Sequence, residues 1–340
     1  MTTAFLLKGI AMRGSESSVM TTPISRRTGL MTLAGAVAGA ALPRVARAQA
    51  QPATLKVGLV PIWDVGPYYA AAAQGYFAAE NLEVSAQIVR GGAVGIPAML
   101  NGALDICYSN GTSIVTANAR GIDLRIILQG TPVGAAPPDP GALLKRKSDP
   151  FKTGKDMEGK VIGVNVLGDV QWMFVQAWIK QTGGDPGKVK IIEIAFPEMV
   201  AALKQDRVDA VLALDPFMTI GLGDPEVDRL DWILSRVYAN GPVAFYCITP
   251  QTAQTRAKDI RAYVRAYRRG AAWLNANQGK DAFYSLIAGF TGLNADLIRK
   301  MTQVPAHADI EPSSLALLTR IMTQTGMITA NIDLRSKIFT

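Results

Sequence analysis

The chain has 340 residues, of which 49% are hydrophobic and 18% charged. It is too long for one typical domain of roughly 100 to 150 residues and apolar enough to bury a sizeable core. Its formal charge of +8 suggests a polyanionic partner, but +5 of it lies in residues 1–48, leaving +3. A remainder that close to balance excludes the need for nucleic acid.

In chain order, the first 48 residues read as an export signal. Ser25-Arg26-Arg27-Thr28-Gly29-Leu30-Met31 resembles a twin-arginine motif, although Gly29 stands where an aromatic is usual. The Thr32 to Leu42 run is mildly apolar and too short for a membrane span, which needs about 20 apolar residues. Ala46-Arg47-Ala48 gives the small-x-small cleavage pattern, so the mature chain is expected to start near Gln49, or at Gln51 if Ala48-Gln49-Ala50 is used, and to work in the periplasm. No Leu-x-x-Cys lipobox accompanies that pattern.

From Leu55 to Leu128 one pattern occurs three times: a short apolar strand, a loop marked by Gly or Pro, and an Ala-rich helix. This is the grammar of a parallel α/β lobe that presents loops to a ligand. The loops contain Trp63 and Asp64, then Arg90, Gly91 and Gly92, then Ser109, Asn110 and Thr112. The text Val-Pro-x-x-Asp-x-Gly-Pro-Tyr-Tyr-Ala-Ala, Gln-Gly-Tyr-Phe-Ala-Ala-Glu-Asn-Leu and Leu-Asn-Gly-Ala-Leu-Asp-Ile resembles the first lobe of nitrate/sulfonate/taurine-type solute-binding proteins of ABC importers. The resemblance continues to about Phe217 and weakly beyond. It implies an α/β, two-lobed periplasmic-binding-protein type II fold, with two lobes on a two-segment hinge.

A second lobe follows the same grammar. Lys160 to Asn165 reads as a strand, Val166 to Asp169 as a loop holding Gly168, and Val170 to Gln181 as a helix stopped by Gly183-Gly184-Asp185-Pro186. A strand at Val189 to Ile194, a helix at Met199 to Gln205 and a strand at Val208 to Leu212 lead to a loop with Asp215 and Pro216. Met99-Leu100-Asn101-Gly102-Ala103-Leu104-Asp105-Ile106 echoes Leu203-Lys204-Gln205-Asp206-Arg207-Val208-Asp209-Ala210. The Pro-dense Gly130 to Pro140 reads as one crossing between lobes and Asn240-Gly241-Pro242 as the return. The expected division is 53–131 and 244–340 for a discontinuous first lobe and 132–243 for the second. Two crossings restrict motion to bending about one line.

Thr252 to Thr340 reads as largely helical, with an apolar face at Ile260, Val264, Tyr267, Ala271 and Leu274. Arg256, Arg261, Arg265, Arg268 and Arg269 occupy the rest of that helix, as a solvated face or a docking surface. Helices near Asn294 to Gln303 and Pro312 to Thr325 are expected to close over the first lobe.

The catalytic inventory is thin. His307 is the only histidine, in a Pro-Ala-His-Ala-Asp loop, and two cysteines cannot build a Cys-rich zinc site. The same broad family resembles an enzyme of thiamine-pyrimidine synthesis that uses a histidine and a Cys-rich iron motif. This chain has neither in the matching region. The expectation is a binder, not an enzyme, with no cofactor and no metal. In proteins of the resembled type the returning strand lies beside the third strand, which would bring Cys107 and Cys247 together. Adjacent central strands strain a disulfide, which favours free buried thiols while leaving a bond open.

Trp63, Asp64, Gly91, Gly92, Ser109, Asn110, Thr112, Gly168, Asp169 and Asp215 are the candidate ligand contacts. Helix starts near Thr112 and Val170 would aim backbone N–H groups into the cleft. Ser109, Asn110 and Asp169 suit helix capping as well as ligand contact, and Trp63 suits packing as well as stacking. Trp172 and Phe174, inside a helix, read as core. Three acids at the cleft against one marginal arginine, Arg90, disfavour nitrate, unless one or more of them caps a helix or Asp215-Pro216 is structural. They favour a zwitterion such as taurine or a nitrogen heterocycle such as a thiamine-pyrimidine precursor. The resemblance implies delivery to an ABC permease with its ATPase, by a monomer. A ligand-sensing subunit of the same fold, or a nitrate-type anion binder, is the alternative.

Overall fold

The computed structural model describes residues 51–329 and 332–340. The export-signal expectations fall on residues 1–48 and lie outside the described residues. The first sheet starts with β1 (Ala53–Leu59), whose Leu55, Val57 and Leu59 alternate into the core. It is followed by α1 (Gly66–Ala73), α2 (Tyr76–Ala79), β2 (Leu82–Ile88), α3 (Gly92–Leu100), β3 (Ile106–Asn110), α4 (Gly111–Ala119) and β4 (Arg125–Gln129). Beyond the Pro-dense segment come β5 (Gly141–Arg146), β6 (Val161–Val164), α5 (Val170–Gln181), β7 (Lys190–Glu193), α6 (Met199–Lys204) and β8 (Ala210–Leu214). Then follow α7 (Phe217–Leu222), β9 (Val227–Asp231) and α8 (Leu234–Tyr238). The return leads into β10 (Ala244–Ile248), α9 (Pro250–Thr255), α10 (Ala257–Asn277), α11 (Asp281–Thr291), α12 (Ala295–Lys300) and α13 (Pro312–Gln324).

Two five-stranded sheets result, in the orders β2-β1-β3-β10-β4 and β7-β6-β8-β5-β9. In each sheet three parallel strands are joined by an antiparallel strand that has just arrived from the other lobe: β10 beside β3, and β5 beside β8. The two crossing segments bond to each other. Val133 N donates to Gly241 O, Asn240 N donates to Val133 O, and Pro132 bridges Pro242.

Two strands, β5 and β9, have no counterpart in the sequence reading. β5 is a short apolar run straight after the prolines, and β9 is a charged edge strand, Val-Asp-Arg-Leu-Asp, without a clean alternation. The long α10 buries Ile260, Tyr263, Val264, Tyr267, Ala271 and Leu274. It lies so close to α1 that a Cβ on Gly270 would fall 2.2 Å from Pro67 O. Of the C-terminal helices, α13 packs on α4, but α12 packs on α11 and on α7 of the second lobe. The expectation that both close over the first lobe is corrected for α12, whose small apolar stripe seats on α11. No described helix is long and apolar enough to cross a membrane.

Cys107 and Cys247 face each other across β3 and β10, and both are free and buried. The side-chain contact with Cys107, and then burial, push the Cys247 thiol up, which keeps it an inert small hydrophobe.

Candidate ligand-binding cleft

The carboxyl ends of β1, β3, β6 and β8 converge between the sheets, the usual ligand position in α/β folds. A pocket of about 480 Å³ lies there. Its walls are apolar or aromatic at Val60, Ile62, Tyr108, Phe174, Phe196, Leu214, Val243 and Ala244. Arg90, Gly91, Asn110, Asn165, Asp169 and Gln171 supply its polar groups.

Each polar group is held by the local fold. Asn110 ends β3 and caps α4, its Oδ1 accepting from Ser113 N at 2.8 Å and Thr112 Oγ1 at 2.6 Å. Its Nδ2 has no hydrogen bond among the described residues. Asp169 caps α5 through Oδ1, which accepts from Gln171 N at 2.8 Å and Trp172 N at 3.2 Å. The other oxygen, Oδ2, makes no hydrogen bond among the described residues. Gln171 locks the edge by accepting from Asn165 N at 2.7 Å and donating to Leu212 O at 3.1 Å. Asn165 Nδ2 donates to Arg90 O at 3.2 Å, a bond that crosses from one lobe to the other. Burial drives the Asp169 carboxyl up to about 7, against the two capping N–H groups and with a smaller push from Glu193. Near neutral pH the group therefore divides between proton donor and acceptor.

Of the ten residues singled out from sequence, the pocket collects Gly91, Asn110 and Asp169. Asp64 sits fully buried beneath it: Tyr108 Oη donates to Oδ2 at 2.7 Å and Thr131 N donates to Oδ1. Asp215 is equally buried, its Oδ1 accepting from Thr219 N and Oγ1 and its Oδ2 from Thr302 N at 3.0 Å. Burial raises both carboxyls to about 6. The picture of three acids facing the ligand is thus corrected, because two have both oxygens taken up by the scaffold. Ser109 and Thr112 are buried, bonded to the Asn110 carbonyl and side chain. Gly92 lets α3 approach β3, since a Cβ there would lie 2.0 Å from Ser109 Oγ. Gly168 is an exposed left-handed turn residue, φ 70°, outside the pocket.

Trp63 is in a different place. Its N–H donates to Asp215 O at 3.2 Å, linking the lobes, and its side chain lines another cavity with Thr131 and Pro216. Phe174, read as core, is buried and also forms a pocket wall; Phe196 and Gln171 joined it without a sequence signal. The spacing from the Asp169 cap to Phe174, just over one helical turn, was the available clue. His307 lies away from the cleft, its Nδ1 3.1 Å from both Gln129 Nε2 and Asp309 O. No group of His, Cys, Asp and Glu suited to a metal occurs among the described residues.

Comparison with known proteins gives a consistent fold. The chain is 26% identical over 239 residues to the riboflavin-binding protein RibY of Chloroflexus aurantiacus, a match covering 67% of this chain and 63% of that relative's length. The periplasmic aliphatic sulphonate binding protein SsuA of Escherichia coli superposes with a TM-score of 0.69 at 18% identity, covering 85% of this chain and 98% of that one. The periplasmic nitrate-binding protein NrtA of Synechocystis PCC 6803 superposes with a TM-score of 0.72 at 12% identity, covering 84% and 85%. These two likenesses show the periplasmic-binding-protein fold. Residues 63–280 match the family described as NMT1/THI5 like, and with well over half its length matched the chain belongs to that family.

Proposed function

We propose that this protein is the periplasmic ligand-binding component of an ABC-type importer, and that its ligand is a planar nitrogen heterocycle. The observation that carries the ligand class is the polar pattern of the cleft. Asn110 Nδ2 offers a donor, Asn165 Oδ1 offers an acceptor, and Asp169 Oδ2 serves as either, all against Tyr108, Phe174 and Phe196. A ring with adjacent carbonyl and N–H groups satisfies such a mixed set, and the aromatic walls favour a flat body. A small inorganic anion leaves the apolar walls unfilled and meets a carboxyl. The likeness to a protein named for riboflavin binding supports the same class.

The ligand seats on one lobe, and closure of the other about the paired crossing segments completes the bonds, so ligand shifts the population toward closure. The closed form then docks on a membrane permease coupled to an ATPase; the chain acts as a monomer and turns nothing over. Export across the cytoplasmic membrane by the twin-arginine-like leader belongs to this reading. Titration calorimetry with riboflavin, a hydroxymethyl-aminopyrimidine, taurine and nitrate tests it. A heterocycle is expected to bind with a dissociation constant of about 1 μM, the order of a scavenging receptor, and Asp169→Ala to weaken it about tenfold or more. Tight binding of nitrate or taurine alone, or turnover of any of the four, overturns the proposal.

A further inference from the structure

Two of the hydrogen bonds that join the lobes end on one residue, the fully buried Asp215. From the first lobe, Trp63 N donates to its carbonyl at 3.2 Å and Thr302 N donates to its carboxylate Oδ2 at 3.0 Å. Each end of the second bond is fixed in its own lobe. In the second lobe, Asp215 N donates to Pro140 O at 2.9 Å, while Thr219 N and Oγ1 donate to Oδ1 at 3.1 and 2.6 Å. In the first lobe, Asn275 of α10 ties down the segment after α12, its Nδ2 donating to Ala306 O at 2.8 Å and its Oδ1 accepting from Ala306 N at 2.7 Å. Gln303 Nε2 donates to Tyr284 Oη at 3.1 Å and ties the same segment to α11. A bond between two anchored groups loses little entropy when it forms, and a carboxylate acceptor makes it one of the stronger kind.

We propose that Asp215 is a positioning residue for closure, a clasp that holds the second lobe to Thr302 of the first in the ligand-free protein and so biases the cleft toward its closed form. It does not line the cleft pocket and acts only through the placement of the lobes. The inference rests on the reading of the protein as a two-lobed binder that closes, but not on which ligand it takes. Ligand selects the closed form, so a clasp that stabilises that form adds to the affinity of any cleft ligand in proportion.

The test is the distance between spin labels on Gln87→Cys in β2 and Lys190→Cys in β7, two exposed positions, read by double electron–electron resonance on the purified ligand-free protein. The native cysteines are buried and stay unlabelled. Thr302→Pro removes the clasp's N–H and leaves Asp215 intact, and Met301 before it already has the extended backbone that precedes a proline, φ −67° and ψ 148°. It is expected to shift the ratio of long to short distances about tenfold toward the long. Asn275→Ala, which unties the first-lobe end from a distance, is expected to move the ratio the same way by a smaller factor, and serves alone if circular dichroism shows Thr302→Pro unfolded. Thr219→Val takes a donor from the same carboxylate within the second lobe and is expected to keep the wild-type distances, which separates a clasp from a merely structural acid. The proposal is overturned if Thr302→Pro and Asn275→Ala keep the wild-type distribution, or if Thr219→Val lengthens it as much as they do. The expected shift without binding of any heterocycle sustains the clasp and removes only the ligand class.

Discussion

The two lobes are built alike at their bases and differently at their cleft edges. At the base of the first lobe, Asp105 opens β3; its N–H donates to Lys56 O and its Oδ2 accepts from Lys56 N, while Arg256 pairs with it at 2.8 Å. At the base of the second, Asp209 precedes β8; its N–H donates to Val161 O, its Oδ2 accepts from Val161 N, and Arg146 pairs with it at 3.4 Å. The same acid performs the same task in both sheets: it pins the start of one parallel strand to its neighbour. At the other end the likeness narrows to one buried acid beneath each edge, Asp64 and Asp215. Toward the pocket the first lobe offers Asn110, while the second offers Asp169, Gln171 and two phenylalanines. A repeated scaffold with unrepeated edges separates the residues that hold the sheets from those free to select a ligand.

That division is sharpest among acids, and it can be broken by substitution. Asp64→Ala removes the acceptor from two buried donors, Tyr108 Oη and Thr131 N, and is expected to lower stability by about 3 kcal/mol in urea unfolding. Asp169→Ala removes only a helix cap and is expected to lower it by about 1 kcal/mol. A larger loss from Asp169 than from Asp64 would show that the assignment of scaffold and edge is inverted.

The equivalence of the bases is tested next. Asp105→Ala and Asp209→Ala each strip one strand N–H of its partner and leave one arginine short of an acid, and both are expected to cost about 2 kcal/mol. Matching losses support a common design. A loss confined to one lobe shows that the likeness of geometry does not extend to energy.

Asp169 also sets a pH signature. Its carboxyl sits at about 7 in the folded chain, above the ordinary 3.8, so the folded state holds its proton more tightly than the unfolded one. Stability from this group is complete below about pH 4 and is lost as pH rises through about 7. Asn cannot titrate. Wild type is therefore expected to lose about 1 to 2 kcal/mol relative to Asp169→Asn between pH 4 and 7, a modest figure because the cleft admits water. Parallel unfolding curves of the two proteins across that window would remove the case for a buried, proton-sharing carboxyl.

Much of the scaffold was legible in the sequence because it follows periodic rules. Alternating Leu55, Val57 and Leu59, the Asp169 cap and the Gly183 stop each obey local chemistry, and the structure places them accordingly. The echo between residues 99–106 and 203–210 marks the two pinning acids, although its role in the sheet bases was not visible from text. The site was less legible. Asp64 and Asp215 stand in the right loops, but whether a carboxylate faces a cleft or a backbone N–H depends on a single side-chain direction. Trp63 and Ile62 are adjacent, yet they line different cavities, and no pattern along the chain distinguishes them. Phe174 reads as core from its helix and is core, but a core wall and a pocket wall are the same thing where two lobes meet.

The smallest expected effect concerns the arginines of α10 and its N-cap Arg256, which separate base from surface along one helix. Arg256 is part of the first lobe's base, bonded to Asp105, Asp259 and Thr54 O. The others are engaged at the rim: Arg265 with Glu80, Arg268 with Asp309, Arg261 over Phe339 and Arg269 over Tyr76. With each already matched to a partner on this chain, the helix reads as a solvated face rather than a docking surface. Arg268, half-exposed like its partner, contributes little because water and salt screen the pair. Arg268→Ala is expected to change stability by no more than about 0.5 kcal/mol, against about 2 kcal/mol for Arg256→Ala, which leaves Asp105 and the Thr54 carbonyl short of a donor. Equal losses from the two would mean that the helix is held along its whole length by charge, and that its apolar face contributes less than its burial implies.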